Sequence, residues 1–272
     1  MMACYKAKGA WFKDDEMEGC RIKGRGEGVW SFYSKRPDGT RLLKARAQMK
    51  AGKAHGFHRE FNPTGRLRLQ GQTEDGSEVG TWRGYHPGGQ LSFEIDWVAG
   101  KRSGPVREWY TNCQLARSGQ FKDNQRDGEW TEWFPSGRKK SEGSFLNNQR
   151  DGTWTLYDKD GPRLESGPYV ADQRQGKWTE FFMNGVTWRT VDYVDDVRQG
   201  DGPAQCRSYP GDWVVDHRAR EEGCLIGRRR EGIWAGYYPD GALQWRAEYA
   251  GGVMEGRFVE YHKTGEVLRD GV

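Results

Sequence analysis

Gly128-Glu129-Trp130-Thr131-Glu132-Trp133-Phe134-Pro135-Ser136-Gly137 alternates strand-forming rings and threonine with glutamate, then breaks at Pro-Ser-Gly. It reads as a β-strand entering a turn, with Gly137 free to take positive φ. Lys140 to Phe145 returns as a second strand, and Asn147-Asn148-Gln149-Arg150-Asp151-Gly152 reads as a polar loop leading into the next unit. Rings two and five residues after Gly128 occupy opposite parities, so they project from both faces of the strand. A single hairpin cannot bury both, so it must stack on its neighbours.

The neighbours are present in the sequence as copies. Glycines recur at Gly56, Gly80, Gly104, Gly128, Gly152, Gly176 and Gly200, a 24-residue period that resumes at Gly232 and Gly256, with a displaced copy at Gly28. Two residues after these glycines stand Trp30, Trp82, Trp130, Trp154, Trp178 and Trp234, with His58 and Phe258 as variants. Five residues after them runs a second column that includes Trp109, Trp133, Tyr157, Phe181 and Tyr237. A third aromatic recurs seventeen residues on, as at Phe121, Phe145, Tyr169, Tyr193 and Tyr249.

Composition agrees with a core made of rings. The 272 residues are 13% aromatic and 30% charged, with 39 glycines. Disordered chains are polar but poor in aromatics, and this one is rich in them. No apolar run approaches membrane-spanning length, and the start shows no apolar signal segment, so a cytoplasmic location is expected. A cell-envelope or secreted location is the alternative if a signal peptide has been trimmed. The net charge of +4, from 43 basic and 39 acidic residues mixed along the chain, names no partner.

The unit resembles the MORN repeat, and more closely its bacterial variant carrying W-x-x-[FY]-[FY]-x-x-G, often labelled the YwqK-type antitoxin repeat. The resemblance covers about residues 28–200 and 232–271. For fold it implies an elongated, twisted antiparallel sheet of stacked hairpins. For function it implies a scaffold, with an antitoxin-like inhibitor as a special case. Lys53-Ala54-His55-Gly56 keeps the family's basic linker, whereas the linkers at 125–128, 149–152 and 173–176 read Gln-Arg-Asp-Gly or Gln-Arg-Gln-Gly.

Four of the five cysteines form two similar modules. Cys4 and Cys20 enclose Gly9-Ala10-Trp11, Cys206 and Cys224 enclose Gly211-Asp212-Trp213, and each second cysteine stands in Glu-Gly-Cys. They read either as two local disulfides stapling small caps or as reduced thiols. Cys113 replaces the turn glycine of its repeat.

Catalytic signatures do not appear. His55, His58, His86, His217 and His262 show no metal-ligand spacing and read as repeat variants; there is no phosphate loop, nucleophile elbow or H-E-x-x-H. The expectation is no enzyme, no metal and no cofactor. One charged column follows the period: Arg102, Arg126, Arg150, Arg174 and Arg198, with Arg230 at the equivalent site. Guanidinium groups suit carboxylates and phosphates, so this row is a candidate partner-binding line. Its local alternative is bonding to nearby carboxylates, including the column Glu60, Glu108, Glu132, Glu180 and Glu260.

The sequence therefore predicts an all-β, open array of hairpin repeats. A cap spans residues 1–27, an array 28–200, a second Cys-containing cap 201–231, and two further hairpins 232–272. Trp82, Trp130, Trp154, Trp178, Trp234, Trp133, Tyr157 and Phe181 are its structural aromatic column. The expected function is non-catalytic binding of another protein through the repeat face, as an antitoxin-like inhibitor or assembly factor. The alternative is a peripheral binder of phospholipid headgroups or nucleic acid through the arginine row. An exposed last strand also predicts a homo-oligomer through the C-terminal edge.

Overall fold

The computed structural model describes Cys4, residues 8–199 and residues 212–272. The fold is all-β, built from open antiparallel sheets of consecutive hairpins. It divides into two compact units, Met1–Gly137 and Arg138–Val272, so the division falls inside the array expected at 28–200. In the first unit, eleven described strands run from Ala10–Lys13 to Gln125–Trp133. Each but the last pairs antiparallel with the strand that follows it. In the second, strands from Lys139–Leu146 to Val197–Arg198 form one ladder, and six from Asp212–Asp216 to Val267–Gly271 form a separate sheet.

Two turn types alternate along the chain. One closes the hairpin read from the sequence: Gly137 donates to the Phe134 carbonyl at 2.8 Å and has φ of 83°. Cys113 holds the same post with φ of 65°, bonding Tyr110 at 3.0 Å, so it keeps the turn in a left-handed conformation that favours glycine. The other turn corrects the sequence reading. Asn147 and Asn148 both have positive φ, 51° and 72°, so they make a two-residue turn of the kind whose twist matches a hairpin. The chain is already in strand at Gln149, and Gln149–Tyr157 includes most of what reads as a linker.

Each tryptophan that stands two residues after a repeat glycine has a prepared seat. Trp30, Trp82, Trp130, Trp154, Trp178 and Trp234 lie over Gly19, Gly71, Gly119, Gly143, Gly167 and Gly223 on the preceding strand. A Cβ on any of these glycines would stand 2.2–2.4 Å from the indole ring. The indole N–H donates to the carbonyl just after the glycine, as Trp154 does to Ser144 at 2.9 Å and Trp178 to Pro168 at 3.0 Å. All six rings are 0–6% exposed, so a buried polar N–H is satisfied while the ring is covered. Where the tryptophan is missing, the glycine is too: Ala47 faces His58, Ile95 faces Val106 and Ala247 faces Phe258.

The seated rings meet the third aromatic column edge to face. In the second unit Phe145, Trp154, Tyr169, Trp178 and Tyr193 form a continuous series with centroids 5.0–6.2 Å apart and planes 70–90° to one another. That geometry places ring edges against ring faces, as the aromatic quadrupole favours.

The two cysteine modules share one strand plan. Trp11 pairs with Cys20 across Ala10–Lys13 and Met17–Ile22, and Trp213 with Cys224 across Asp212–Asp216 and Glu221–Ile226. Each supplies the glycine seat for the next tryptophan, so each cap is the opening hairpin of its array. Cys4 and Cys20 are joined by a disulfide; Cys224 is also disulfide-bonded, and Cys206 lies outside the described residues. The Cys4–Cys20 bridge closes a separation of 16 residues. Its removal should lower stability by about 3 kcal/mol, as chain-entropy reasoning gives for such a loop. Urea unfolding of a Cys4→Ala/Cys20→Ala variant beside the wild type measures this bridge apart from the one at Cys224, and coincident curves would refute it.

Candidate functional site

The repeating arginines lie against the rings. The Arg150 guanidinium is 3.9 Å from the Tyr169 ring centre, and its Nε donates to Asp172 Oδ1 at 3.0 Å. Arg174 lies 4.5 Å from Trp178 and makes a two-pronged pair with Glu165, at 2.9 and 2.6 Å. Arg102 sits 4.3 Å from Phe121 and bonds Asn124, Arg126 sits 5.9 Å from Trp130, and Arg230 covers Trp234 while pairing with Glu221. Arg102, Arg126, Arg150, Arg174 and Arg230 are thus placed as a cover on the aromatic series by cation–π contact, while Arg198 lies 3.8 Å from Glu180. Burial pulls the Arg174 guanidinium down, but the Glu165 carboxylate outweighs it and holds the group above its ordinary range.

The glutamate column is likewise engaged. Glu60 pairs with Arg68, Glu108 with Arg117 at 2.6 Å and Glu180 with Arg189 at 2.6 Å. Two of the histidines take the contacts of repeat positions. His86 Nε2 lies 2.9 Å from the Trp109 carbonyl, the contact that the Tyr110 hydroxyl makes to Trp133 and Tyr238 to Tyr261. His58 packs 5.5 Å from Trp82.

The second aromatic column, residues such as Tyr157 and Tyr237, carries a hydroxyl that reaches a carboxylate fifteen residues back. Tyr33 donates to Glu18 at 2.6 Å, and Tyr157 and Tyr237 donate to Glu142 and Glu222. Burial and then the Glu142 bond push the Tyr157 phenol up from 10.0 to about 12. Lys139 and then Tyr157 hold Glu142 below its usual 4.5. The phenol's contribution to stability is therefore full below pH 10 and lost as pH rises toward 12. The carboxylate's is full above 4.5 and lost as pH falls further. Denaturation midpoints should decline at both ends, and Tyr157→Phe should flatten the alkaline decline. An alkaline limb unchanged by that substitution would overturn the assignment.

Sequence reasoning missed one assembly, in the second unit. Glu180 and Glu222 are 3% and 7% exposed and come from different sheets. Arg189 pairs with both, and Arg198 lies 3.8 and 3.7 Å from them. Beside them Trp188 stacks on Phe182 at 5.1 Å and meets His217 and Tyr237 edge-on, while His217 Nδ1 lies 2.9 Å from the Phe181 carbonyl. A cavity of about 350 Å³ opens here, lined in part by Glu165, Arg174, Glu180, Arg198 and His217. Burial pulls the Arg189 guanidinium down, but Glu180 and Glu222 prevail and raise it. Each carboxylate has a guanidinium counterpart, so the group fixes one sheet of the unit on the other. The signal in the sequence was partial: Glu180 and Arg198 belong to the repeating columns and Glu222 opens the second Glu-Gly-Cys, whereas Arg189 does not stand out.

The MORN repeat variant matches residues 78–99 and 126–147, each spanning one tryptophan strand, its glycine turn and the returning strand. No curated protein matches the chain. Among solved structures, the crystal structure of TcdB2-TccC3-TEV is similar at 10% identity over 93% of this chain and 15% of that one, with a TM-score of 0.20. The crystal structure of TcdB2-TccC3 is similar at 13% identity over 96% of this chain and 17% of that one, with a TM-score of 0.19. The chain spans less than a fifth of the length of these solved chains.

Proposed function

We propose that this protein is a non-catalytic repeat scaffold that holds another protein against its sheets. The observation that supports it best is a repeat position with no structural need for an aliphatic side chain. Leu146, Val170 and Val194, one in each successive repeat of the ladder from Lys139–Leu146 to Val197–Arg198, are 53%, 51% and 51% exposed, just before the two-residue turns. Val98 holds the same position at 62%, whereas Glu74 and Lys122 fill it elsewhere, so the fold accepts charge there. Exposed apolar side chains recurring in register provide the kind of surface that a protein partner covers. An antitoxin-like inhibitor or an assembly factor is the narrower form of this reading and draws on the repeat resemblance. The Cys4–Cys20 disulfide favours an oxidising compartment, hence the cell envelope or secretion over the cytoplasm.

The test is cross-linking in the native host, comparing the wild-type chain with Val170→Asp/Val194→Asp, both at exposed sites. A protein captured in fixed stoichiometry by the wild type and lost from the variant, with circular dichroism unchanged, supports the scaffold. Failure to capture any protein would overturn it.

A further inference from the structure

The charge of the chain is not evenly spread. Between Arg21 and Arg68 stand thirteen Lys and Arg against three carboxylates, so these 48 residues carry +10 and the other 224 carry −6. All three carboxylates are occupied. Glu27 accepts the Ala51 amide at 2.9 Å, Asp38 accepts the Thr40 amide and hydroxyl at 2.8 and 2.6 Å, and Glu60 pairs with Arg68.

The strands collect the unmatched cations on one face. Along Arg41–Lys50, Lys44, Arg46, Gln48 and Lys50 are exposed, while Ala45, Ala47 and Met49 are covered. Alternate residues share a face about 6.6–6.8 Å apart. On the next strand, Lys53–Phe61, Arg59 stands directly opposite Arg46 and Lys53 opposite Lys50. Like charges directly opposite destabilise a sheet. None of these five cations has a carboxylate at ion-pair distance among the described residues. Further along the same cross-strand row the pattern changes, since Arg83 is paired with Glu94 at 2.6 Å.

The field is also bounded. On one side the next two-residue turn is Asp75-Gly76, flanked by Glu74 and Glu78; on the other stand Asp14, Asp15 and Glu16. The basic area formed by these cations is therefore about two strands wide and one strand long, roughly 10 by 30 Å. A nucleic-acid strand repeats its charge at every step and would run onto carboxylates at either margin. A folded partner with a compact acidic patch would not. Opposite Arg46 and Arg59 the row ends in neutral residues, the buried Ser31 on one flank and Gln70, whose amide donates to the Tyr85 hydroxyl at 2.6 Å, on the other.

We infer that the face bearing Lys44, Arg46, Lys50, Lys53 and Arg59 is a docking surface for a compact acidic patch on a protein partner. This rests on the reading that the chain is a protein-binding scaffold and names the chemistry of what it binds. The test uses the full chain and fluorescence anisotropy at about 0.1 M salt, where the Debye length is near 10 Å. The probes are an octaglutamate peptide, an octathymidylate, and vesicles of phosphatidylserine in phosphatidylcholine. Arg46→Glu/Arg59→Glu should weaken octaglutamate binding by at least roughly tenfold, a change of about 1.4 kcal/mol. The control Lys101→Glu/Lys122→Glu should change it less than about twofold, as expected of exposed charges outside the patch. Circular dichroism and thermal midpoints confirm that both variants fold. Equal losses in both variants, or no binding of the peptide, would overturn the site and leave the scaffold reading standing. Preference for the octathymidylate or the vesicles by tenfold or more would overturn both.

Discussion

Trp178→Ala should destabilise the second unit by about 3–5 kcal/mol, because it removes a fully buried indole and leaves its cavity behind. Tyr169 and Tyr193, whose rings lie 5.1 and 6.1 Å from the indole, lose a common neighbour. Gly167→Ala should destabilise by overpacking, about 1–3 kcal/mol, since its Cβ would stand 2.4 Å from that ring. The informative variant is the double one, Gly167→Ala/Trp178→Phe. It reproduces the pair Ala247 and Phe258, which the chain already accommodates with Ala247 1% exposed. The double variant should be more stable than the sum of the two single changes, Gly167→Ala and Trp178→Phe, by about 1–3 kcal/mol. Urea unfolding of the four proteins gives the coupling. Strict additivity would refute the idea that glycine and tryptophan form a matched seat.

That pairing shows how far the sequence could be read. The 24-residue period and the aromatic columns were legible because glycine and tryptophan recur at fixed spacing. The seat eleven residues before each tryptophan was not, because 39 glycines crowd the chain and most serve backbone conformation. At Gly128 and Gly152, for example, φ is 74° and 83° and a Cβ would meet nothing, so the dihedral requires the glycine. A signal did exist: His58, Val106 and Phe258, which replace tryptophan, all stand eleven residues after a residue other than glycine. The residues Gln149, Arg150 and Asp151 read as loop because a strand is ordinarily recognised by its apolar face. Here its polar end bonds the neighbouring turn, as the Arg150 amide does to Asp172 Oδ1 at 2.9 Å.

The arginine column was visible as a spacing, but its contacts were not. Whether a guanidinium faces solvent or a ring depends on register, and Arg174 finds Tyr193 only because Val170 and Gln173 pair across their turn and Gly176 pairs with Tyr193. The basic face was hidden by averaging. A net charge of +4 over 272 residues conceals +10 within 48 of them, and only strand pairing puts Arg59 opposite Arg46.

Arg189→Leu should cost the second unit about 3–5 kcal/mol, the loss typical of removing one partner from a buried ion pair. It would leave Glu180 and Glu222, both nearly inaccessible, with the more distant Arg198 guanidinium at 3.8 and 3.7 Å and the Tyr237 hydroxyl on Glu222. Part of the loss is packing, since the Arg189 guanidinium also lies 4.2 Å from the Trp188 ring centre. The electrostatic part is separated by Glu222→Gln, which removes a charge while keeping the shape. Combined with Arg189→Leu, it should restore some of the loss, because fewer unmatched charges remain buried. Lys177→Leu is the internal comparison: Lys177 pairs with Asp192 at 3.1 Å, but the two side chains are 74% and 53% exposed. That substitution should cost less than about 1 kcal/mol. Urea unfolding monitored by tryptophan fluorescence measures all four variants. If Arg189→Leu behaves like Lys177→Leu, or if Glu222→Gln restores nothing, the buried group does not fasten the two sheets. If the contrast holds, Arg189 joins them through charge, with Glu180 on one sheet and Glu222 on the other.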